Sequence, residues 1–369
     1  MIEPTYSDQK IKYEIDSVTI DVGDYGLFHY PVFSVAEIDS VNYYFGWNNK
    51  TRSLNIVNLD EQRLERSIFY DPNDPNDPNG PDGVGEVKGM TVQNFDSIFF
   101  MSNLNISLMD TASVLRSKWG INDRNEFSGF DKYNHNLTTE ESFNILYDKG
   151  SQKMYVRLHF PQYPWCDPSL DYYKENMIAE LDLVSKRFRE VKMPFPEYFQ
   201  KENYGFRNIP SVTKGDENSL NITFSVSANI YELDIESDIV NSFGGKSEFT
   251  ENHASSLDQD DCQDTQAGMK HNLRNVKYLQ LHFDPYRQLY YRFHWSEVAE
   301  HSSDGKLSSY RNKRLYLSVF DSSFNKVAEW DIDRKHGASW CFVTRKGFYV
   351  LKPRGEENLL GFNVFRVGK

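Results

Sequence analysis

At 369 residues, the chain has room for several ordinary domains or for one closed repeat architecture. Its net charge of −13 excludes nucleic acid as a partner, because phosphate binding needs a basic footprint. Aromatic side chains make up 15% of it, with 26 Phe and 23 Tyr among frequent Asn, Asp, Gly and Pro, a balance that favours strands and turns over helices.

Residues 1–20 lack the basic start and continuous apolar stretch of a secretory signal. No window approaches the ~18 apolar residues of a membrane-crossing helix, so no transmembrane segment is expected. The first strand signal is the run Lys10–Val22, where Ile15, Val18, Ile20 and Val22 supply the apolar positions. Beyond it the chain repeats itself. Aromatic–aliphatic runs near Tyr44, Phe99, Tyr155, Ile222, Tyr290 and Tyr349 recur at intervals of roughly sixty residues, each followed by a second apolar run.

Each unit resolves into short strands. The first reads Val32–Ile38, Val41–Phe45, Leu54–Val57 and Leu64–Phe69; the second Gly89–Val92, Ser97–Phe100, Ile106–Met109 and Val114–Trp119. The third gives Phe143–Tyr147, Met154–Phe160, Ile178–Leu183 and Phe188–Met193, and the fourth only Leu220–Val226, Ile230–Ile235 and Lys246–Thr250. The fifth runs Tyr278–Phe283, Leu289–Phe293, Leu315–Phe320 and Lys326–Trp330; the sixth, Ser339–Thr344, Phe348–Leu351 and Leu360–Val367, is one strand short.

Sandwiches and barrels do not repeat a four-strand unit six times, whereas propeller blades do. The expected fold is therefore all-β: one six-bladed β-propeller domain over residues 1–369, with four-stranded antiparallel blades. These fall near residues 30–70, 87–120, 140–195, 208–252, 275–332 and 337–368. An unpaired strand edge invites misassembly, so the strand at 10–22 is expected to join the last blade and close the ring. Asp71–Gly85, Tyr163–Asn176 and His253–Met269 are expected as surface loops, the last being polar enough to suggest disorder.

Two local motifs carry a resemblance. The loop Asn79-Gly-Pro-Asp-Gly-Val-Gly85 is followed after a strand by Asn94-Phe-Asp-Ser-Ile-Phe99, and a connector reads Gly245-Lys-Ser-Glu-Phe-Thr-Glu-Asn252. With the tyrosine-rich units, these resemble the bacterial family catalogued as domain of unknown function 4221, over nearly the whole chain. That resemblance implies a six-bladed propeller, usually exported by Gram-negative gut-type bacteria and tethered as a lipoprotein, with no established activity. Residues 1–20 contain no lipobox cysteine. A cell-envelope location and a lipid anchor thus hold only if Met1 is an artificial start; otherwise the expectation is cytoplasmic.

Candidate chemistry is sparse. Asp71–Glu86 offers clustered oxygen ligands of the kind calcium favours, but its prolines interrupt every register of a binding loop, so a stiff connection and no cofactor are expected. Cys166, Cys262 and Cys341 are odd in number and lack CxxC spacing, which argues against a zinc site and favours unpaired thiols. No Gly-x-Ser-x-Gly elbow occurs and no catalytic residue is assigned. Asp60, Asp110, Asp182, Asp234 and Asp321 are read as turn residues.

One signal is duplicated. Tyr155-Val-Arg157-Leu-His159 and Tyr290-Tyr-Arg292-Phe-His294 fall on the same strand of the third and fifth units, and period two places Tyr, Arg and His of each on one face. Either the arginines pair with a carboxylate or carbonyls between blades, or they form a rim for an anionic or sugar ligand, with Trp165 and Trp295 as stacking platforms. The candidate ligand-binding set is Arg157, His159, Trp165, Arg292, His294 and Trp295. The resulting expectation is a monomeric, non-catalytic module that binds or scaffolds a glycan, peptide or partner protein. The alternative is a metal-dependent hydrolase or lyase working at an axial pocket.

Overall fold

The computed structural model describes residues 11–24, 26–70, 86–102, 105–120, 127, 136–138, 146–148, 152–159, 169–205, 209–215, 218–262, 264–301, 305, 308–332, 337–352 and 356–368. They form a six-bladed β-propeller. Blade one comprises β2 (Val32–Ile38), β3 (Val41–Asn48), β4 (Ser53–Asn58) and β5 (Arg63–Phe69). Blade two follows with β6 (Gly89–Asn94), β7 (Ser97–Met101), β8 (Asn105–Met109) and β9 (Leu115–Gly120). Blade five contains β19 (Lys277–Asp284), β20 (Leu289–Trp295), β21 (Leu315–Asp321) and β22 (Lys326–Ile332). In these three blades every pairing is antiparallel and sequential, so the first strand faces the axis and the last faces outward.

Blade three departs from that scheme at its inner edge. Two short strands, β10 (Asn136–Thr138) and β11 (Leu146–Asp148), pair with opposite ends of β12 (Lys153–His159), which continues to β13 (Asn176–Asp182) and β14 (Arg187–Pro194). Of the expected strand Phe143–Tyr147, the first three residues lie outside the described residues.

Blade four corrects the expected strands. It consists of β15 (Pro210–Lys214), β16 (Ser219–Phe224), β17 (Ile230–Asp234) and β18 (Ile239–Phe243). Pro210-Ser-Val-Thr-Lys214 offers only Val212 as an apolar strand former, and Ile239-Val-Asn-Ser-Phe243 breaks its apolar run with Asn and Ser; β18 is outermost, with Ile239 57% exposed. Lys246–Thr250 is not a strand; its amides bind side chains instead.

The ring closes as the edge argument required. Blade six holds β23 (Gly337–Thr344), β24 (Gly347–Leu351) and β25 (Leu359–Gly368), and β1 (Lys12–Asp21) adds to β25 in register from Lys12↔Gly368 to Asp21↔Leu359. Ile11 packs among side chains of blades five and six, while Val18, Ile20 and Val22 join Tyr44 and Val57 of blade one in a single core cluster. One strand thus seals both faces of the last blade. Each such buried side chain contributes roughly 1.5–3 kcal/mol.

Inter-blade cores are aromatic-rich and both faces of the middle strands are buried, as in the fully buried β4 and β16. The turn after the third strand repeats a single device. Asn58, Asp110, Asp182, Asp234 and Asp321 each accept two backbone N–H groups from the following residues, at 2.8–3.1 Å. A residue with positive φ follows in every case: Gln62, Ser113, Lys186, Asp238 and Phe324. Blade one uses Asn58 for this purpose, and Asp60 instead accepts from Asn42 N at 2.8 Å.

The described residues of His253–Met269 are held by hydrogen bonds and a helix, against expectation. Leu257 N donates to Asn203 O at 2.7 Å, and Tyr204 Oη lies 2.8 Å from His253 Nε2. The segment then enters the helix α1 (Thr265–Arg274), capped by Asp264. Cys262, just before it, is disulfide-bonded, which corrects the expectation of unpaired thiols. The loop Asp71–Gly85 and residues 163–168 of the loop before β13 lie outside the described residues.

Candidate functional site

The inner strands β2, β6, β11, β15, β19 and β23 all contribute to one cavity of about 780 Å³ on the propeller axis. Because each of these strands pairs on one side only, its free edge faces that lumen. Ser34 Oγ meets one such edge group by accepting Val92 N–H at 3.1 Å. The wall mixes aromatic side chains (Phe33, Phe283, Tyr286, Phe342) with neutral hydrogen-bonding ones (Thr91, Thr213, Gln280, His282, Gln288). Burial pushes the His282 imidazole down to about 4, so it is neutral at pH 7.

No carboxylate lines this cavity among the described residues, and no group of three or more His, Cys, Asp or Glu is placed there or elsewhere to hold a metal. A hard cation such as calcium needs several oxygen ligands, usually carboxylates. The donor set of the axis does not fit one.

At the end bounded by the β19–β20 turn, an ionic cluster flanks the cavity. Arg345 Nε and Nη2 donate to the two oxygens of Glu37 at 2.9 and 2.7 Å, and Tyr286 Oη donates to Glu37 Oε2 at 2.7 Å. The Arg345 and Tyr286 hydrogen bonds hold the Glu37 carboxyl below its usual range. The Arg345 guanidinium also sits 5.4 Å from the Tyr286 ring centroid.

Of the sequence-derived ligand set, the described side chains lie outside the lining of this cavity. Arg292 is completely enclosed between blades four and five. Its Nη1 donates to Ala228 O at 2.8 Å, its Nη2 to Phe224 O and Ser227 O at 3.1 Å each, and its Nε to Leu279 O at 3.0 Å. The guanidinium stacks 4.7 Å from the Tyr278 ring. Burial lowers its pKa to about 10, which leaves it charged at neutral pH. It holds the β16–β17 turn of blade four onto blade five.

Arg157 is buried on β12 opposite Ile178, within the core joining blades three and four. The duplicated motif is therefore offset by one residue. Tyr155 faces the following blade, whereas Tyr290 packs with Ile230 of the preceding one. A one-residue shift in a strand exchanges its faces, so the two motifs are not structurally equivalent. The side chain of His159 and all of Trp165 lie outside the described residues, and Trp295 packs half-buried against the core of blades five and six.

Sequence reading missed the buried cluster that His294 joins. His294 Nε2 lies 3.1 Å from Ser247 Oγ and 3.4 Å from Glu329 Oε1; Lys326 Nζ is 3.1 Å from Glu329 Oε2 and also donates to Lys246 O. Glu329 additionally accepts from Ser318 Oγ at 2.9 Å and Glu248 N at 2.8 Å. Burial, then the charges of Lys326 and Arg292, drive the His294 pKa well down. Serine, histidine and glutamate meet here without forming a catalytic relay, because both partners contact the same imidazole nitrogen, and a relay needs them on opposite nitrogens.

This cluster explains the connector Gly245–Asn252. Glu329, Lys326 and His294 grip its backbone and Ser247, Tyr278 Oη donates to Glu251 O at 3.0 Å, and Phe249 stacks on Tyr316 at 5.0 Å. The connector is a clasp between blades. Its signal was the motif itself, but two of its partners, Lys326 and Glu329, lie about eighty residues downstream.

No curated protein matches the chain. Among solved structures, a family member from Bacteroides vulgatus superposes with a TM-score of 0.76 at 16% identity, covering 98% of this chain and 100% of that one. A putative exported protein from Bacteroides fragilis superposes with a TM-score of 0.58 at 10% identity, covering 97% and 96%. At such identities the likeness concerns the fold. Residues 8–331 match the family described as "Domain of unknown function (DUF4221)", and the chain belongs to that family.

Proposed function

We propose that this propeller is a non-catalytic binding module whose ligand occupies the axial cavity. The observation that carries this reading is the wall itself, where all six blades contribute to one lumen lined mainly by apolar, aromatic and neutral polar groups. About 780 Å³ falls within the roughly 300–1,000 Å³ of small-molecule sites. A fold alone implies no activity, and the buried Ser247–His294–Glu329 cluster offers no nucleophile to a substrate. Arg157, Arg292 and His294 serve the scaffold in this account.

The protein is further read as exported. A disulfide at Cys262 fits an oxidising compartment, and the similarity to a putative exported protein agrees with that location. No helix among the described residues is long and apolar enough to cross a membrane.

Labelled protein on glycan and peptide arrays tests the binding role. A hit that weakens on Gln288→Ala or Tyr286→Ala supports axial binding. Chemical turnover of the hit by the wild-type chain would contradict a non-catalytic role.

A further inference from the structure

Hydrogen-bonding demand is concentrated on the blade-four side of the axial cavity. Ser211 Oγ, Thr213 Oγ1 and both amide atoms of Asn221 have no hydrogen-bond partner among the described residues. Asn221 is fully buried and lies directly across from Thr213 on the neighbouring strand. Gly215 keeps that amide clear, since a Cβ at this position would come within 3.1 Å of Asn221 Nδ2 and 2.1 Å of Ser219 Oγ. Buried polar groups left unsatisfied each cost about 1–3 kcal/mol. Thr213 itself lines the cavity.

Blade five faces this wall with Gln280, His282 and Gln288, beside the rings of Phe283 and Tyr286. Lys214, at the exposed end of β15, is the charged residue among the described lining. We propose, on the reading that the axis is the binding site, that the ligand is an uncharged saccharide of one or two rings seated at the seam between blades four and five. Its hydroxyls meet Thr213, Gln280 and His282, and an apolar ring face lies against Phe283 or Tyr286.

Each part of that assignment has a chemical reason. A sugar hydroxyl both donates and accepts, as the amides, threonine and neutral imidazole require. A carboxylate or phosphate ligand would call for bidentate or clustered cationic donors, which this seam lacks among the described residues. A long peptide needs an open groove or one continuous sheet edge, whereas this lumen offers six short, separate strand edges, one from each blade.

Titration calorimetry of the full chain tests the proposal with glucose, galactose, N-acetylglucosamine and cellobiose, against glucuronate, glucose 6-phosphate and a tripeptide mixture. At least one neutral sugar is expected to bind, and Gln280→Leu and Thr213→Val are expected to weaken it by about tenfold or more, as loss of a substrate-facing hydrogen bond does. Thr213→Val removes a hydroxyl without a protein partner, so its melting temperature should match wild type and the loss can be assigned to binding. Binding confined to the anionic sugars or peptides, with the same sensitivity to these variants, would overturn the assignment of an uncharged saccharide while leaving the axial site intact. Neutral-sugar binding indifferent to both variants would overturn the axial site as well. Absence of any neutral-sugar binding at high millimolar concentration would also overturn the proposal.

Discussion

Arg157 and Arg292 occupy the second strands of blades three and five, yet both lie on faces turned toward blade four. The two look alike in sequence because the same residue types recur at period two. They differ in space because β12 and β20 leave their preceding turns one residue out of phase. Blade four is consequently flanked by a buried guanidinium on each side.

Arg292 is the better defined of the two, and its replacement should be costly. Arg292→Leu leaves the carbonyls of Phe224, Ser227 and Ala228 buried without their donor, which is expected to lower stability by about 3–5 kcal/mol. Arg292→Lys should recover little of this, because an ammonium lacks the planar fork that reaches all of these oxygens. Urea unfolding of the three proteins measures both effects.

The closing strand offers a second test. Deleting residues 1–23 removes Ile11, Val18, Ile20 and Val22 from two core clusters and exposes the edge of β25. A fall in Tm of about 10 °C or more is expected. A double substitution Val18→Asp, Ile20→Asp should act in the same direction without shortening the chain.

Gly245 begins the connector clasp because a side chain does not fit there. A Cβ would stand 2.4 Å from Ala228 O, a backbone atom that cannot turn aside. Gly245→Ala is expected to destabilise the protein by about 1–3 kcal/mol, with the unfolding rate raised more than the folding rate is lowered if the clasp docks late. Stopped-flow chevron analysis separates the two.

His282 makes a prediction about pH. Its imidazole titrates near 4 in the folded ring, against 6.5 in the unfolded chain, so between those values the unfolded state binds more protons. The folded protein therefore keeps the full contribution above about pH 6.5 and loses it as pH falls toward 4. Between about pH 7.5 and 5, His282→Gln should lose less stability than wild type, by on the order of 1–2 kcal/mol. His294, also held neutral by burial, should remain as a residual slope in the variant.

Much of the architecture was legible in the chain. Recurring aromatic runs located the middle strands, since these are buried on both faces and are largely apolar; β7 and β24 are examples. The missing strand of the last blade was legible too, as an edge in need of β1. Strands at the rims were not. Pro210–Lys214 lies at the inner edge and Ile239–Phe243 faces solvent, so neither carries the continuous apolar run that marks the middle strands.

The candidate site was hardly legible at all. Thr213, Gln280, His282 and Tyr286 come from blades four and five, and ring closure alone brings them to one lumen with Phe33 and Met90. No spacing in a single stretch encodes that convergence. Arg292 and His294 stood out because charge in a strand is conspicuous, and what it marked was the seam between blades. The buried Lys326–Glu329 pair was equally charged but passed as an ordinary outer strand.

Amide hydrogen exchange on the full chain, with and without a saturating neutral saccharide that binds it, addresses axial recognition most directly. Inner strands present unpaired edge amides to the lumen, so ligand protection should be confined to β15, β19 and the turn 285–288 between blades four and five. Protection restricted to outer strands or to the α1 segment, or none at saturating ligand, would contradict binding at the axis.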